Sequence, residues 1–435
     1  MSQYGALGYA QHGKRYRFIL GHYYRGTRIG RVNPQTSVRV LLGVGTPRFS
    51  GASLAGASKR LNPARTYFVR ANADGTLTLV DQHGKALAQF ASPLAIGGRG
   101  VLSLDGGLYR GTLEFSAVRG GVQTVEVVGL EDYVRGVISS EVPANWPREA
   151  LKAQAVAART YAITSNDGHG AFDVYADTRS QMYRGLAAET PSTDAAAAAT
   201  RGQVVTYGGR PVVTYFFNSS GGHTENIENV WPAAAPRPWL RGAADPYDGA
   251  GHDPYHRWGE DLPVSNAIAR LHGLVKGSLR GIEVLRHGSS PRILEAAVVG
   301  TRGRVRVSGL ELQRAFGLLT TFVSFTTIST WPGPQASRAS RRSASSPTVA
   351  ETGAMNALVP LVDDLVRQSL PAIHGEVFPK NPRVSALIQV MRAGRWRFVA
   401  RIRIRDDGSY EARLPRPGLY RIALGDIGGP AVRVS

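Results

Sequence analysis

The chain contains no cysteine. Disulfide scaffolds, thiol nucleophiles and cysteine-ligated zinc or iron–sulfur sites are thereby excluded. It also lacks any apolar run approaching the roughly 18 residues that span a bilayer, which excludes an integral membrane helix. Acid is scarce relative to base: 32 Asp+Glu stand against 52 Lys+Arg, a formal net charge of +20. A surplus of that size implies an anionic partner, and nucleic acid, anionic membrane and bacterial cell wall all qualify. Missing too are a P-loop, a dinucleotide fingerprint, a zincin helix and a nucleophile elbow.

What is present is a chain of 435 residues, 43% of them hydrophobic, with 51 Gly and 25 Pro. That is enough apolar material for real cores, about three domains by length, and a turn-rich, β-containing protein. Met1 opens directly into Ser2-Gln3-Tyr4-Gly5-Ala6, with no basic n-region and no apolar h-region. Short helices are expected over about 2–12 and 16–24. From Ser37 the period becomes two, and strands are expected near 66–70, 77–81, 112–117 and 122–128, separated by Gly-rich turns. The one strong helix follows Pro147: Arg148 to Ala162 is rich in helix formers, and its small residues let other elements approach closely. A second helix is expected over 194–200, then strands at 202–207, 211–217, 282–286, 292–299 and 303–307, with a short helix near 310–316. Residues 331–350 form a Pro/Ser/Arg linker, and 356–435 alternate like a small β-sandwich.

Three patches bear on chemistry. In Glu131–Pro147, one acid, Glu141, sits on a turn between apolar residues and Trp146. A carboxylate so wedged has its pKa raised, as a general acid needs; the alternative is a carboxylate facing the N-terminus of the following helix. Lys152 and Arg159 are seven positions apart, close to two turns, so they share a helix face. They point two cations toward Glu141 or a polar substrate, or are solvated helix charges. Tyr215–Asn226 and Asp177–Gly185 read as ligand-facing loops or as ordinary polar connections. His252 and His256 lack a second ligand pair at recognisable spacing and read as loop histidines.

Together and in this order, Leu130–Tyr161, Asp177–Gly185, Tyr215–Asn226, Asp245-Pro246-Tyr247-Asp248 and Trp258 resemble the stage II sporulation protein D family (the SpoIID/LytB domain) over roughly 125–330. The Glu-Val-Pro turn, Trp-Pro and Glu-Ala-Leu-Lys-Ala-Gln-Ala-Val-Ala-Ala-Arg-Thr-Tyr carry the resemblance. Met1–Thr27 also looks like a family motif, one that closes the domain in the sporulation proteins and opens this chain, as in a rearranged, actinobacterial-type member. The resemblance implies an α+β, β-rich fold with one long central helix, an inserted antiparallel β domain and a C-terminal β-sandwich. The expected boundaries are 1–30 for the motif helices, 31–128 for the inserted domain, 129–330 for the core, 331–355 for the linker and 356–435 for the sandwich.

It also implies a secreted peptidoglycan lytic transglycosylase, a lyase that cleaves the MurNAc–GlcNAc β-1,4 bond to leave 1,6-anhydro-muramyl ends. Glu141 falls on the family's catalytic acid, Lys152 and Arg159 on its active-site cations, and Gln181, Tyr183, Ser219 and Ser220 on its substrate loops. The alternative is a non-catalytic wall binder that enhances an amidase. Some family members carry zinc with a cysteine in the region matched by Thr178–Gln181; without cysteine, no metal and no cofactor are expected here. The expected partners are peptidoglycan strands, a cell-wall amidase and the envelope surface, with no nucleic acid. The Gly-His-Gly stretch that normally precedes the Met1 motif is missing, so a misplaced start with a signal peptide upstream and an extracellular or cell-wall location are expected.

Overall fold

The structure, a computed structural model, describes residues 1–165, 167–249, 253–259, 262, 264–331, 372–377, 386–405, 409–424 and 427–434. It is an α+β, β-rich protein whose chain divides into two compact units, Met1–His256 and Arg257–Ser435. The expected core of 129–330 straddles that division. The expected linker lies outside the described residues, except for Trp331 at the end of a strand.

In the first unit, helices α1 (Gln3–Gln11) and α2 (Tyr16–Tyr23) open the chain. Ser2 caps α1, its hydroxyl accepting from the Gly5 N–H at 3.1 Å. The β segment follows as two antiparallel layers. One has six strands, running in space from Gly107–Tyr109 through Arg48–Ser50 to Ala86–Phe90; the other has seven, with Ser37–Gly45 and Gly121–Gly129 near one edge. Phe49, Val69, Leu77, Leu79, Ile96, Leu113 and Phe115 fill the space between them, the inward set of period-two strands.

This β segment is not a detachable insert. Val38, Val40 and Val128 belong to the same core as the helices beyond, and Val174–Tyr175 adds a parallel strand to Ser37–Gly45. Gly121–Gly129 runs directly into helix α3 (Leu130–Glu141), so no break falls at 128. In α3, Leu130, Tyr133, Val134, Val137 and Ile138 recur at helical spacing and are buried. It stops at Glu141 because Val142 precedes Pro143 and is forced extended, at φ −137° and ψ 148°.

Helix α4 (Arg148–Thr164) is the centre of the unit. Leu151, Ala155 and Ala158 face the core shared with α3 and with α5 (Pro191–Ala199), while Ala153, Val156 and Ala157 face the core shared with α1 and α2. Its run of alanines is what lets four helices and the strand Gln203–Tyr207 pack around one axis. Thr190 caps α5 in a reciprocal capping box with Thr193, and Pro191 takes the first turn.

Among the described residues, the second unit has two cores. Strands Leu279–His287, Ile293–Gly300 and Gly303–Ser308 pack with the helix Gly309–Phe316 around Ile282, Ile293, Val298, Leu312 and Phe316. Ser308 and Glu311 form a capping box at that helix's start, and Gly317, at φ +68°, ends it. Beyond, Ala386–Arg392, Arg395–Ile402, Gly418–Leu424 and Ile427–Val434 form a four-stranded antiparallel sheet, over a core that includes Ile388, Tyr410, Leu414 and Ile422. Among the described residues, no helix is long and apolar enough to cross a membrane.

Candidate active site

Glu141 is the last residue of α3, half-buried, where the helix ends against the 181–183 loop and α1. One carboxylate oxygen accepts the Met182 backbone N–H at 2.6 Å, and the other accepts the Gln3 side-chain amide at 3.2 Å. Burial raises its pKa above the ordinary carboxylate range, and the two donors only partly offset that. Its place at a helix C-terminus, the negative end of the dipole, acts in the same direction. The carboxylate does not cap the following helix; Glu149 is the acid in the first turn of α4.

The 181–183 loop is built to aim that N–H. Gln181 is fully buried, accepting from the Tyr133 hydroxyl at 2.9 Å and donating to the Ala158 carbonyl at 3.4 Å. Tyr183 is buried and stacks on Tyr133 with ring centroids 5.0 Å apart. Gly136 makes room: a Cβ there would stand 2.5 Å from the Tyr183 ring and 3.0 Å from the Gly185 carbonyl. Gln181 and Tyr183 therefore stand behind the loop, and the expectation that their side chains face a ligand is corrected.

The two cations expected beside Glu141 point elsewhere. Arg159 is 0% exposed. Its guanidinium forks onto Glu131 at 3.0 and 2.7 Å and donates to the carbonyls of Ala155, Ala197 and Gln203. Glu131 also accepts the Gly202 N–H at 2.9 Å. Arg159 thus ties α3, α4, α5 and the Gln203–Tyr207 strand together, and no substrate can reach it. Lys152 pairs with Glu149 at 2.7 Å and lies 5.6 Å over the Tyr16 ring. Glu149 accepts the Tyr16 N–H at 2.9 Å, so this pair docks the start of α2 on α4. Sequence spacing placed both cations on one helix without showing which neighbour covers each.

Ser219 and Ser220 belong to a second cluster joined to Glu141 through α1. The backbone N–H groups of Gln3 and Tyr4 donate to the carbonyls of Phe217 and Asn218 at 2.9 and 3.1 Å. Asp248 gathers five donors: Ser2 Oγ at 2.5 Å and Ser220 N at 2.8 Å on one oxygen, Ser219 Oγ at 2.8 Å, Gly221 N at 2.8 Å and His256 Nδ1 at 3.1 Å on the other. Burial opposes its charge, but these donors outweigh burial and hold its pKa below the usual value. Asp245 is the contrary case. It accepts from Tyr23 Oη at 2.8 Å and Ser220 Oγ at 2.9 Å, and burial pushes its pKa up to about 6. Gly5 lies against both groups; a Cβ there would collide with Tyr23 Oη and the Asp245 carboxylate.

Asp248, Asp253 and His256 place one potential ligand atom each within 4.8 Å of one another. A cation on Asp248 would have to displace donors that already fill both its oxygens, so the cluster fits a hydrogen-bonding hub better than a metal centre. Tyr4 and Trp146 meet edge to face, centroids 5.2 Å apart, beside the Gln3–Glu141 contact. Gln3, the Met182 N–H and Asp248 were not singled out as site groups from sequence. The signals for them in the sequence are the Met1–Thr27, Asp177–Gly185 and Asp245–Asp248 segments that contain them.

Comparison with known proteins fits this arrangement. A family model described as "Stage II sporulation protein" matches residues 118–207, a narrower span than the expected 125–330. It takes in Glu141, Arg159 and Gln181 but not Gln3, Ser219 or Asp248. Stage II sporulation protein D of Bacillus subtilis (strain 168) is 37% identical over 143 residues, 29% of this chain and 41% of that protein. An uncharacterised protein of Brachyspira hyodysenteriae is 42% identical over 31% of this chain and 37% of its own length. A protein named amidase enhancer from Bacillus subtilis is 36% identical over 31% of this chain and 19% of its own. The matches therefore span well under half the length of these relatives. Through the segment that builds α3, α4 and the loop on Glu141, the chain is thus similar to the stage II sporulation protein family over residues 118–207.

Proposed function

We propose that the first unit is a peptidoglycan lytic transglycosylase with Glu141 as its single acid–base group. The observation that carries this reading is the state of Glu141: half-buried, raised in pKa, and held by one backbone N–H and one amide. Burial is the largest influence on its protonation, opposed by the Met182 and Gln3 donors. Hydrolytic glycosidases need two carboxylates, roughly 5–10 Å apart. A transglycosylase works with one.

Protonated Glu141 delivers its proton to the glycosidic oxygen as the bond from that oxygen to C1 of MurNAc breaks. The resulting carboxylate then takes the proton of the same sugar's C6 hydroxyl, whose oxygen bonds C1 and closes the 1,6-anhydro ring. No water enters, and Glu141 ends protonated as it began. The Met182 N–H and the Gln3 amide stabilise the carboxylate midway, and burial restores the acid. Tyr4 and Trp146 offer an aromatic edge on which a pyranose ring can lie. Ser219 and Ser220, held by Asp248 and Asp245, fix the facing loop rather than donate freely.

A second reading, a wall-binding protein that enhances an amidase, is favoured by the 36% identity to the relative of that name. One experiment separates the two. Purified glycan strands are digested with wild type and with Glu141→Gln, and the products are read by mass spectrometry. Anhydro-muramyl ends that vanish in the variant, with binding retained, support the transglycosylase. Absence of such ends from wild type overturns it in favour of the binder. Either reading puts the protein at the cell envelope.

A further inference from the structure

The C-terminal sheet carries charge of one sign where a core should be. Residues 391–405 contain six arginines and no acid. In the hairpin of Ala386–Arg392 and Arg395–Ile402, Arg392 pairs directly with Arg395, and Val390 with Arg397. Directly opposite residues share a face, and alternate residues along a strand share it too. Arg392, Arg395 and Arg397 therefore continue the face on which Ile388 and Val390 are buried. Like charges directly opposite destabilise a sheet, yet all three side chains are exposed, with no acidic partner among the described residues. Ala393, at φ +48°, and Gly394, at φ +72°, form the tight turn that fixes Arg392 opposite Arg395.

Beside these arginines is a cavity of about 440 Å³, lined by Arg392, Arg397, Phe398, Pro415 and Tyr420 among others. Tyr420 pairs with Val390 and so lies on the arginine face. Two guanidinium forks with an apolar and aromatic floor suit an anion joined to a short carbon chain. Arg395 and Arg397 stand two residues apart on one strand, about 6.8 Å by strand rise. That is comparable to the separation of successive phosphates along an extended polyol-phosphate chain. The carboxylates of a glycan strand recur only once per disaccharide, a longer interval.

We propose that this face of the C-terminal sheet is a binding site for a polyol-phosphate polymer, of which poly(glycerol phosphate) is the simplest. The phosphodiesters sit on the Arg392, Arg395 and Arg397 guanidiniums, and the intervening carbons lie against Pro415 and Tyr420, the latter paired with Val390 on the same face. The site is independent of Glu141 and stands whether or not the first unit is catalytic.

The test is isothermal titration of the full chain with delipidated poly(glycerol phosphate) at roughly 0.15 M salt, where long-range attraction is already screened. Arg392→Ser with Arg397→Ser is expected to weaken binding about tenfold or more, as loss of hydrogen bonds to charged groups does. Arg280→Ser with Arg302→Ser removes the same charge from exposed positions elsewhere and is expected to change affinity less than about threefold. Arg392→Lys with Arg397→Lys keeps the charge, guards against a folding artefact, and is expected to lose part of the affinity because the fork is gone. Equal losses in the two serine pairs, or full affinity in the lysine pair, would overturn the site. Single-stranded DNA or poly-glutamate binding as tightly as poly(glycerol phosphate) would overturn the ligand.

Discussion

Replacing Arg159 by Met distinguishes a structural clamp from a substrate cation. In the folded protein the Arg159 guanidinium is wholly buried, forks onto Glu131, and supplies three carbonyls on α4, α5 and the strand that begins at Gln203. Met fills a similar volume but donates nothing. Glu131 is then left buried with a single N–H, from Gly202. Removing one partner of a buried pair costs about 3–5 kcal/mol, because the other charge is left uncompensated. For a unit of this size that is a fall in melting temperature on the order of 10 °C. Adding Glu131→Met removes the orphaned charge but leaves the carbonyls and the Gly202 N–H unpaired. The double variant should therefore recover about 1–3 kcal/mol relative to Arg159→Met alone. Urea titration of the full chain, followed by a probe in the first unit, reads both numbers. A variant as stable as wild type that nonetheless fails to bind glycan would refute the clamp and restore Arg159 to the substrate.

Gln3→Leu removes one of two donors to the Glu141 carboxylate, so the acid's pKa should rise further. The alkaline limb of a glycan-cleavage pH profile should then move to higher pH, with the acid limb unmoved; a shift downward would contradict the geometry. Asp245 binds its proton more tightly folded, at about 6, than at its ordinary value of 3.8. Its stabilising share is therefore full below that ordinary value and lost as pH rises through about 6. Asp245→Asn should accordingly look progressively less harmful relative to wild type from pH 4 to pH 7, measured as urea midpoints at each. Asp248→Asn exchanges one acceptor oxygen for a donor amide facing groups that already donate. A loss of about 2–4 kcal/mol and exposure of the 219–221 loop to proteolysis are expected; an unchanged digestion pattern would count against the hub. Gly5→Ala drives a methyl into Tyr23 and Asp245, and a loss above about 1 kcal/mol is expected in the same denaturation assay.

What the sequence made legible was periodic or local. Helix α4 was readable because Pro147 opens it and Ala, Leu, Gln and Lys fill it, and Gly121–Gly129 because it is rich in valine and bounded by glycines. The register of α3 was less legible. Its apolar spacing is helical, but Glu141 reads as sitting on a turn because the signal that stops the helix, Val142 before Pro143, lies directly beyond it. The expected strand at 211–217 is mostly absent. Pro211 closes a two-residue strand, and the next backbone pairing is with Ser2 across the site. That pairing brings Gln3 to Glu141, across 138 residues of sequence. Long-range pairing also explains the misplaced cations. Position on one helix face says that Lys152 and Arg159 point the same way along a chain, but not that α2 covers the first while α3 and α5 enclose the second. A buried arginine cannot be told from an active-site arginine by its neighbours in sequence, because both sit among alanines on an amphipathic helix. The difference lies in Glu131, twenty-eight positions upstream, whose carboxylate the fold turns inward to meet it. The family motif around Arg159 is therefore as much a packing requirement as a chemical one: it builds the frame on which the end of α3 presents Glu141.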